Sequence, residues 1–387
     1  MSSALRLLRV DDPDALPAIE IKMARVIGID PGTLSLDLCG LDDGHVFLDR
    51  SLPTSEALRD PASFVRMLED ARGTGTLDLI AGPSGYGLPL IAARHLNETD
   101  IRLAYLAVEG EVGGIGGLRS LTRMLARSSL PVVLTPGVIH LASVPAHRKV
   151  NRVDMGTADK VCAAALAVHT QADRHGCAAR DVSFLFLELG GAFSAAIAVD
   201  RGRIVDGVGG TSGPLGLRAA GALDGEVAFL AGTVTKQLLF EGGVATIAGD
   251  PEAPVEALAA PRTPRARLAW DAYLESAAKA VAALAVSAPG VREVILSGRL
   301  APVAGVRDDI ARRLAAVIPH PSVHVLAGFA GSAGQAAQGA ALIADGLAGG
   351  RYASLVESLG IRDAAGTAID HLHVITPDRA RARLGIA

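Results

Sequence analysis

The strongest constraint on this chain is a hairpin that occurs twice at a fixed interval. From Arg25 to Phe47 the sequence reads Val-Ile-Gly-Ile-Asp-Pro-Gly-Thr, alternates to Leu41, turns at Asp42-Asp43-Gly44 and resumes at Val46-Phe47. That is strand, glycine turn, strand, tight turn, strand. From Val182 to Val205 the plan repeats, with Phe184-Leu185-Phe186-Leu187-Glu188-Leu189-Gly190-Gly191, a strand through Val199, and a turn at Asp200-Arg201-Gly202-Arg203. Asp30 and Glu188, Gly32 and Gly190, and Gly44 and Gly202 are each 158 positions apart (188 − 30, 190 − 32, 202 − 44). Three anchors in register point to a duplicated unit, one copy in each half of the chain.

The 387 residues suit two domains, and a hydrophobic fraction of 50% supplies a core for each. Only 3% of residues are aromatic, so the cores must be filled by Ala, Val, Leu and Ile, which favours close packing of helices on sheets. The 44 glycines gather at a few turns, where backbone can approach a ligand or another backbone. With a net charge of -4 and acids and bases interspersed, the chain offers no nucleic-acid groove. Cys39, Cys162 and Cys177 form no Cys-x-x-Cys pair, which excludes a disulfide framework and a zinc site and fits a reducing compartment. The first 22 residues carry Asp11, Asp12, Asp14 and Glu20 and no apolar run of signal or membrane length. A cytoplasmic protein without a membrane partner is expected, and Met23, just before the first strand, is an alternative start.

Each copy ends its first strand in a carboxylate with glycine two residues on. Glycine lets successive backbone N–H groups face a phosphate, while the carboxylate holds a hydrated magnesium ion between phosphates. Two such turns facing each other would clamp one polyphosphate.

The motif Asp30-Pro31-Gly32-Thr33 and its partner Glu188-Leu189-Gly190-Gly191-Ala192 resemble the two phosphate loops of the superfamily of acetate kinases, sugar kinases, heat-shock chaperone ATPases and actin (ASKHA). Many members carry Asp where this chain has Glu188, and the acetate and butyrate kinases carry His. Glu293 to Ser297 followed by Gly298-Arg299 resembles the adenosine motif, and Gly328 to Gly334 with a small-residue helix near 335–347 resembles the segment that borders the nucleoside and crosses between domains. The Ala-rich stretch from Thr157 to Ala172 is that helix's expected partner. Local echoes at Thr135-Pro136-Gly137 and at Ala222-Leu223-Asp224-Gly225-Glu226 bring the chain nearest to butyrate kinases and a related branch.

The resemblance implies an α/β fold of two RNase H-like, actin-like ATPase domains, each a mixed sheet flanked by helices, with a nucleotide cleft between them. The expected division is an extension at 1–23, a first domain at 24–175 and a second at 176–387. It implies ATP and Mg2+, with Asp30 on the magnesium side and Gly32, Thr33, Glu188, Gly190, Gly191, Ser297, Gly298, Arg299, Gly331 and Gly334 around the nucleotide. A small carboxylate is the expected phosphoryl acceptor, and a homodimer is compatible with the superfamily.

Butyrate kinases place an arginine in a glycine-rich turn of the first domain, whereas the corresponding turn here, Ala81 to Gly87, has none. Ser84 and Tyr86 in that turn are candidate acceptor contacts. The densest polar cluster runs from Arg148 to Lys160, where Asp154 or Asp159 is a candidate base and Arg148, Arg152 or Lys160 a candidate phosphoryl-stabilising cation. Asp154 and Thr157 are equally residues that open a helix. His371 and His373 read as structural. A nucleotide-dependent regulator without phosphoryl transfer is the alternative function, and an actin-type filament a third.

Overall fold

The computed structural model describes residues 22–386 except 74, 84, 109 and 111–116, so Ser84 and most of the 1–23 extension lie outside the described residues. The first sheet comprises β1 (Arg25–Pro31), β2 (Ser35–Asp42), β3 (His45–Pro53), β4 (Leu79–Pro83), β5 (Ile91–Ala92) and β6 (Val132–Thr135), in the order β3-β2-β1-β4-β6-β5. The second comprises β7 (Phe184–Leu189), β8 (Ser194–Asp200), β9 (Arg203–Val208), β10 (Glu293–Ser297) and β11 (Ser322–Val325), in the order β11-β10-β7-β8-β9. Read from the third strand, the two orders coincide, with β5 an addition to the first sheet.

The duplication extends to details that the sequence pattern does not show. β1 pairs antiparallel with β2 so that Asp30 faces Asp37, and β7 pairs with β8 so that Glu188 faces Ala195. The register of the next pair slips between Gly40 and Leu41 in one copy and between Ala198 and Val199 in the other. Both tight turns place two residues in the left-handed region, Asp43 and Gly44 in one and Arg201 and Gly202 in the other. Two left-handed residues in succession match the twist of the strands they join. Each position in the second set lies 158 residues beyond its counterpart in the first (195 − 37, 198 − 40, 201 − 43).

Three helices position the site: α1 (Ala158–His175), α2 (Pro264–Leu284) and α3 (Gln335–Leu347). Strand alternation puts Leu185 and Leu187 on one face, where Trp270, Tyr273 and Leu274 of α2 cover them, and Phe184 and Phe186 on the other. That second face joins Val26 and Cys39 of the first sheet in one core with α1 and α3. The far face of the first sheet buries Ile27, Ile29, Leu36 and Leu38 under helices Pro61–Arg72 and Leu118–Arg127. No helix among the described residues is long and apolar enough to cross a membrane.

The expected partnership of the small-residue helices is present as backbone contact. A Cβ at Gly339 of α3 would lie 1.8 Å from the carbonyl oxygen of Cys162 in α1, and one at Gly28 of β1 would lie 2.1 Å from that of Ala337. Although it follows the second sheet in sequence, α3 packs on β1, β2 and β4 of the first. The small-residue helix thus crosses to the first sheet, and the C-terminal residues follow it. Ile369, Ala380, Leu384 and Ile386 are buried against Leu88, Leu103 and Leu134 of the first domain, because the last apolar residues find their uncovered surface there. Asn151 anchors this tail, accepting through Oδ1 from the N–H groups of His373 (2.6 Å) and Val374 (3.0 Å).

Helix propensity alone predicts that Gly339→Ala stabilises the protein by about 1 kcal/mol. The clash with Cys162 dominates, and a net loss of about 3 kcal/mol is expected in urea unfolding. A neutral or stabilising result would contradict the backbone contact.

Candidate nucleotide and acceptor cleft

The two glycine loops line the same cavity of about 660 Å³, within the range of about 300–1,000 Å³ typical of small-molecule sites. Their local geometry repeats. A Cβ at Gly32 would meet the carbonyl oxygen of Ser35 at 2.9 Å, and one at Gly190 that of Phe193 at 2.6 Å, three residues on in each case. Both positions thus exclude a side chain through tightness of the turn. The loops also face each other: a Cβ on Gly191 would lie 2.8 Å from Cδ1 of Leu34. Asp30, Gly32, Thr33, Glu188, Gly190 and Gly191 all border the cavity.

The cavity floor is a buried charge cluster centred on the first turn of α1. Lys160 Nζ donates to Oδ2 of Asp159 at 2.5 Å and to Oε1 of Glu188 at 2.8 Å, joining the first domain's helix to the second domain's phosphate loop. Burial alone would lower the lysine's pKa, but Asp159 and Glu188 outweigh it and hold the ammonium well above its ordinary value. Burial raises the Asp159 carboxyl, yet Lys160 and the Thr157 hydroxyl, 2.5 Å away, bring it below the usual range. Glu188 is raised by burial in spite of Lys160. Asp30 is raised further, first by burial and then by Asp159, with Asp37 and Glu188 adding to the effect. Its Oδ1 is buried without a hydrogen-bond partner in the protein.

Asp37 was not singled out in the sequence, although a carboxylate in the apolar strand Ser-Leu-Asp-Leu-Cys-Gly-Leu-Asp was a signal. It lies across β1 from Asp30, borders the cavity, and has its own unpartnered buried Oδ1. Its Oδ2 sits where Gly334 opens α3, so close that a Cβ at Gly334 would be 2.6 Å away. Burial raises this carboxyl too.

Around the expected nucleoside position, the motif residues are fastened to α3. Gln335 Oε1 accepts from the Ser297 hydroxyl (2.8 Å) and the Gly298 N–H (3.1 Å). Gly298 has φ +86°, and a Cβ there would meet the Leu189 carbonyl oxygen at 2.5 Å. Ser297, Gly298, Arg299 and Gly334 border the cavity; Gly331 does not. The N–H of Gly331 goes to Asp49 Oδ2 at 2.9 Å, and Ser332 and Ala333 donate to the same carboxylate. The expected nucleotide contact at Gly331 is thus taken up within the protein, where these backbone N–H groups hold a carboxylate of β3.

The polar cluster separates on folding. Asp159, Lys160 and Asp154 face the cavity, whereas Arg148 and Arg152 do not border it. Arg148 Nη1 donates to the carbonyl of Val205 at 2.7 Å, and Arg152 is exposed. Asp154 is buried with its carboxylate occupied: Oδ2 accepts from the N–H and the hydroxyl of Thr211, both at 2.9 Å, and Oδ1 from the Gly156 N–H at 3.2 Å. It joins the loop before α1 to the loop after β9, so the placement favours a structural tie over a free base. Tyr86 borders the cavity, and burial pushes its hydroxyl up.

Two cations that the sequence reading passed over also line the cavity, Arg119 and Lys236. Arg119 Nη1 donates to the carbonyl of Val108 at 2.5 Å, and Lys236 Nζ lies 4.9 Å from the centroid of the Tyr86 ring. No local motif marks either, because both reach the site through long-range packing.

Residues 28–374 match the model of a family described as "Protein of unknown function (DUF1464)". No curated protein sequence matches the chain. Among solved structures, a propionate kinase from Francisella tularensis superposes with a TM-score of 0.58 at 13% identity, covering 82% of this chain and 98% of that one. Acetate kinases from Porphyromonas gingivalis (TM-score 0.56, 13% identity, 82% and 98% covered) and Entamoeba histolytica (0.55, 11%, 76% and 86%) are also similar. The chain therefore shares the two-domain, actin-like fold of these acetate and propionate kinases, with two mixed sheets flanked by helices as expected.

The raised Asp30 carboxyl fixes the sign of a pH effect. Its protonated form contributes stability below the ordinary carboxylate range, and that contribution is lost as pH rises through the raised value. Asp30→Asn, which imitates the neutral form, is expected to raise the melting temperature of ligand-free protein at about pH 8, with the gain shrinking toward about pH 4. Thermal unfolding across that range checks it, and a gain independent of pH would contradict the burial of an uncompensated Asp30.

Proposed function

The chain belongs to the DUF1464 family, and from that premise and the cleft we propose that it is a kinase transferring the γ-phosphoryl group of ATP to a small carboxylate. The observation that carries this reading is the pair of duplicated glycine loops facing each other across one cavity, above a floor whose Asp30 carboxylate lacks a partner. The backbone of Gly32 and Thr33 would hold phosphate oxygens from one side and that of Gly190 and Gly191 from the other. The adenosine would lie toward Gly298 and Arg299.

A magnesium ion fits this floor. Asp30, Asp37 and Glu188 are carboxylates whose charge is disfavoured by burial, and a divalent cation would relieve it. No three His, Cys, Asp or Glu side chains among the described residues are arranged to hold an ion by themselves, so the ion would arrive with the phosphates and reach Asp30 through water. When bound it neutralises charge on the β- and γ-phosphates. Lys160 keeps Glu188 and Asp159 fixed so that the phosphate loops cannot separate freely.

In the transfer step a carboxylate oxygen of the acceptor attacks Pγ, the bond from Pγ to the β–γ bridging oxygen breaks, and the electron pair leaves on ADP. The product is an acyl phosphate, and no proton need be removed. A carboxylate acceptor therefore suits a site in which Asp154 is fully hydrogen-bonded and supplies no free base. Two anions must still meet, which requires positive charge at the acceptor end. Arg119 and Lys236 line that end and take the place of the arginine that the Ala81–Gly87 turn lacks. The regulator alternative rests on the absent arginine and on Glu188 in the second loop; two cations on the cavity wall favour the kinase reading over it.

Incubation with magnesium, ATP and short carboxylates in the presence of hydroxylamine is expected to yield acyl hydroxamate and ADP in equal amounts. Gly190→Val, which forces the second loop off the Phe193 carbonyl, should lower turnover by about 100-fold. ATP binding with no hydroxamate from any acid would overturn the reading.

A further inference from the structure

Between β9 and α2 the chain makes an excursion that no core explains. Residues 222–242 contain no buried side chain, and helix Gly225–Ala231 leaves Val227, Phe229 and Leu230 exposed. The excursion is closed at its base by the bridge between Ala219 and Gly242, and flanked by Gly221 (φ +77°) and Gly242 (φ +80°). Twenty-one residues without a buried side chain cost conformational entropy with little apolar burial in return. The inward side of the segment, however, carries Lys236, Leu239 and Phe240 to the cavity wall.

These contacts wall one end of the cleft. Lys236 reaches across to the Tyr86 ring of the first domain. Phe240 meets Phe193, the residue after the second phosphate loop, edge to face at 4.7 Å between ring centres. Phe193 in turn fills the space beside Gly210, where a Cβ would be 2.6 Å from its own. Thr211, which follows Gly210 and donates its hydroxyl to Asp154, borders the cavity beside Gly210 as Tyr86 does. The chain has only four tyrosines and eight phenylalanines, and two of each line this single cavity. A wall so enriched in rings, with a cation standing over one of them, is built for an anion with an apolar body.

The geometry points to residues 222–242 as a strap that builds the acceptor subsite, with Lys236 orienting the acceptor's carboxylate and Phe193, Phe240 and Tyr86 enclosing an aliphatic or aromatic body larger than that of acetate. This assignment rests on the carboxylate-kinase reading and names its substrate class. Through Lys236 the strap reaches Tyr86 of the first domain, so an acid seated between Phe240 and Tyr86 would touch both walls of the cleft. Leu239 adds an aliphatic surface to the same wall.

The test compares acetate, butyrate, hexanoate and phenylacetate in the hydroxamate assay, with ATP affinity measured separately by calorimetry. The wild-type protein is expected to prefer hexanoate or phenylacetate to acetate by at least about tenfold in kcat/KM. Phe240→Ala should reduce that preference. Lys236→Ala should raise KM for every acid by roughly 10- to 100-fold, Lys236→Arg should restore most of it, and neither should change ATP affinity beyond about twofold. Retained ATP affinity also shows that a variant has folded. Hydroxamate formed from acetate as readily as from the larger acids, or KM values indifferent to both Lys236 and Phe240, would overturn the strap assignment while leaving the kinase reading intact. ATP binding with no hydroxamate from any acid would overturn both.

Discussion

The contact of α3 with α1 and β1 is backbone on backbone, and the rest of the molecule is arranged around it. Gly28 and Gly339 leave no room for even a methyl group, so the helix axes and the strand lie as close as main-chain atoms permit. At that separation ordinary large core side chains are excluded, and the Ala-rich faces of α1 and α3 fill the interface at interior density. Because α3 follows the second sheet yet packs on the first, this contact also ties the halves together. The cleft lies beside the tie, with Gly334 and Gln335 at the start of α3 on its wall.

Charge then decides what the cleft can hold. Lys160 is shared by Asp159 and Glu188, and buried cations are tolerated when their partners are this close. One lysine cannot compensate Asp30 and Asp37 as well, so the floor keeps an excess of carboxylate whose ionisation burial resists. Such a site gives up stability in the ligand-free state and recovers it when a cation arrives with its phosphates. The opposite charge lies on another wall, where Arg119 and Lys236 stand near Tyr105 and Tyr86. A cavity acidic at one end and cationic and aromatic at the other separates a metal–polyphosphate from an apolar anion.

The two hairpins show how one inherited geometry was put to different use. Register slip, turn conformation and the carbonyl beneath the loop glycine are shared by both copies. Opposite Asp30 stands Asp37, but opposite Glu188 stands Ala195. Among the described residues, the first copy therefore carries two carboxylates without a cation of their own, while Glu188 of the second is paired with Lys160 and its loop is followed by Phe193 on the cavity wall. The difference in side chains, on nearly equivalent backbones, makes the cleft asymmetric enough to distinguish its two ends.

The sequence by itself determined the duplicated hairpins, the two glycine loops and the partnership of the small-residue helices, because each is written in local periodicity or in a fixed spacing. It also determined that Asp30, Glu188, Asp159 and Lys160 are polar residues set in apolar surroundings. Tertiary structure alone decided which of the clustered charges face inward. Arg148 turns to Val205 and Arg152 to solvent, Asp154 is consumed by Thr211, and Asp49 occupies the N–H groups of the Gly331 loop. Arg119, Lys236 and Phe240 come from segments without a motif, and the C-terminal residues return to the first domain. The physical reason is common to all of these: a side chain's partner across the cleft depends on how sheets and helices stack over long chain separations, and no short-range pattern encodes that distance.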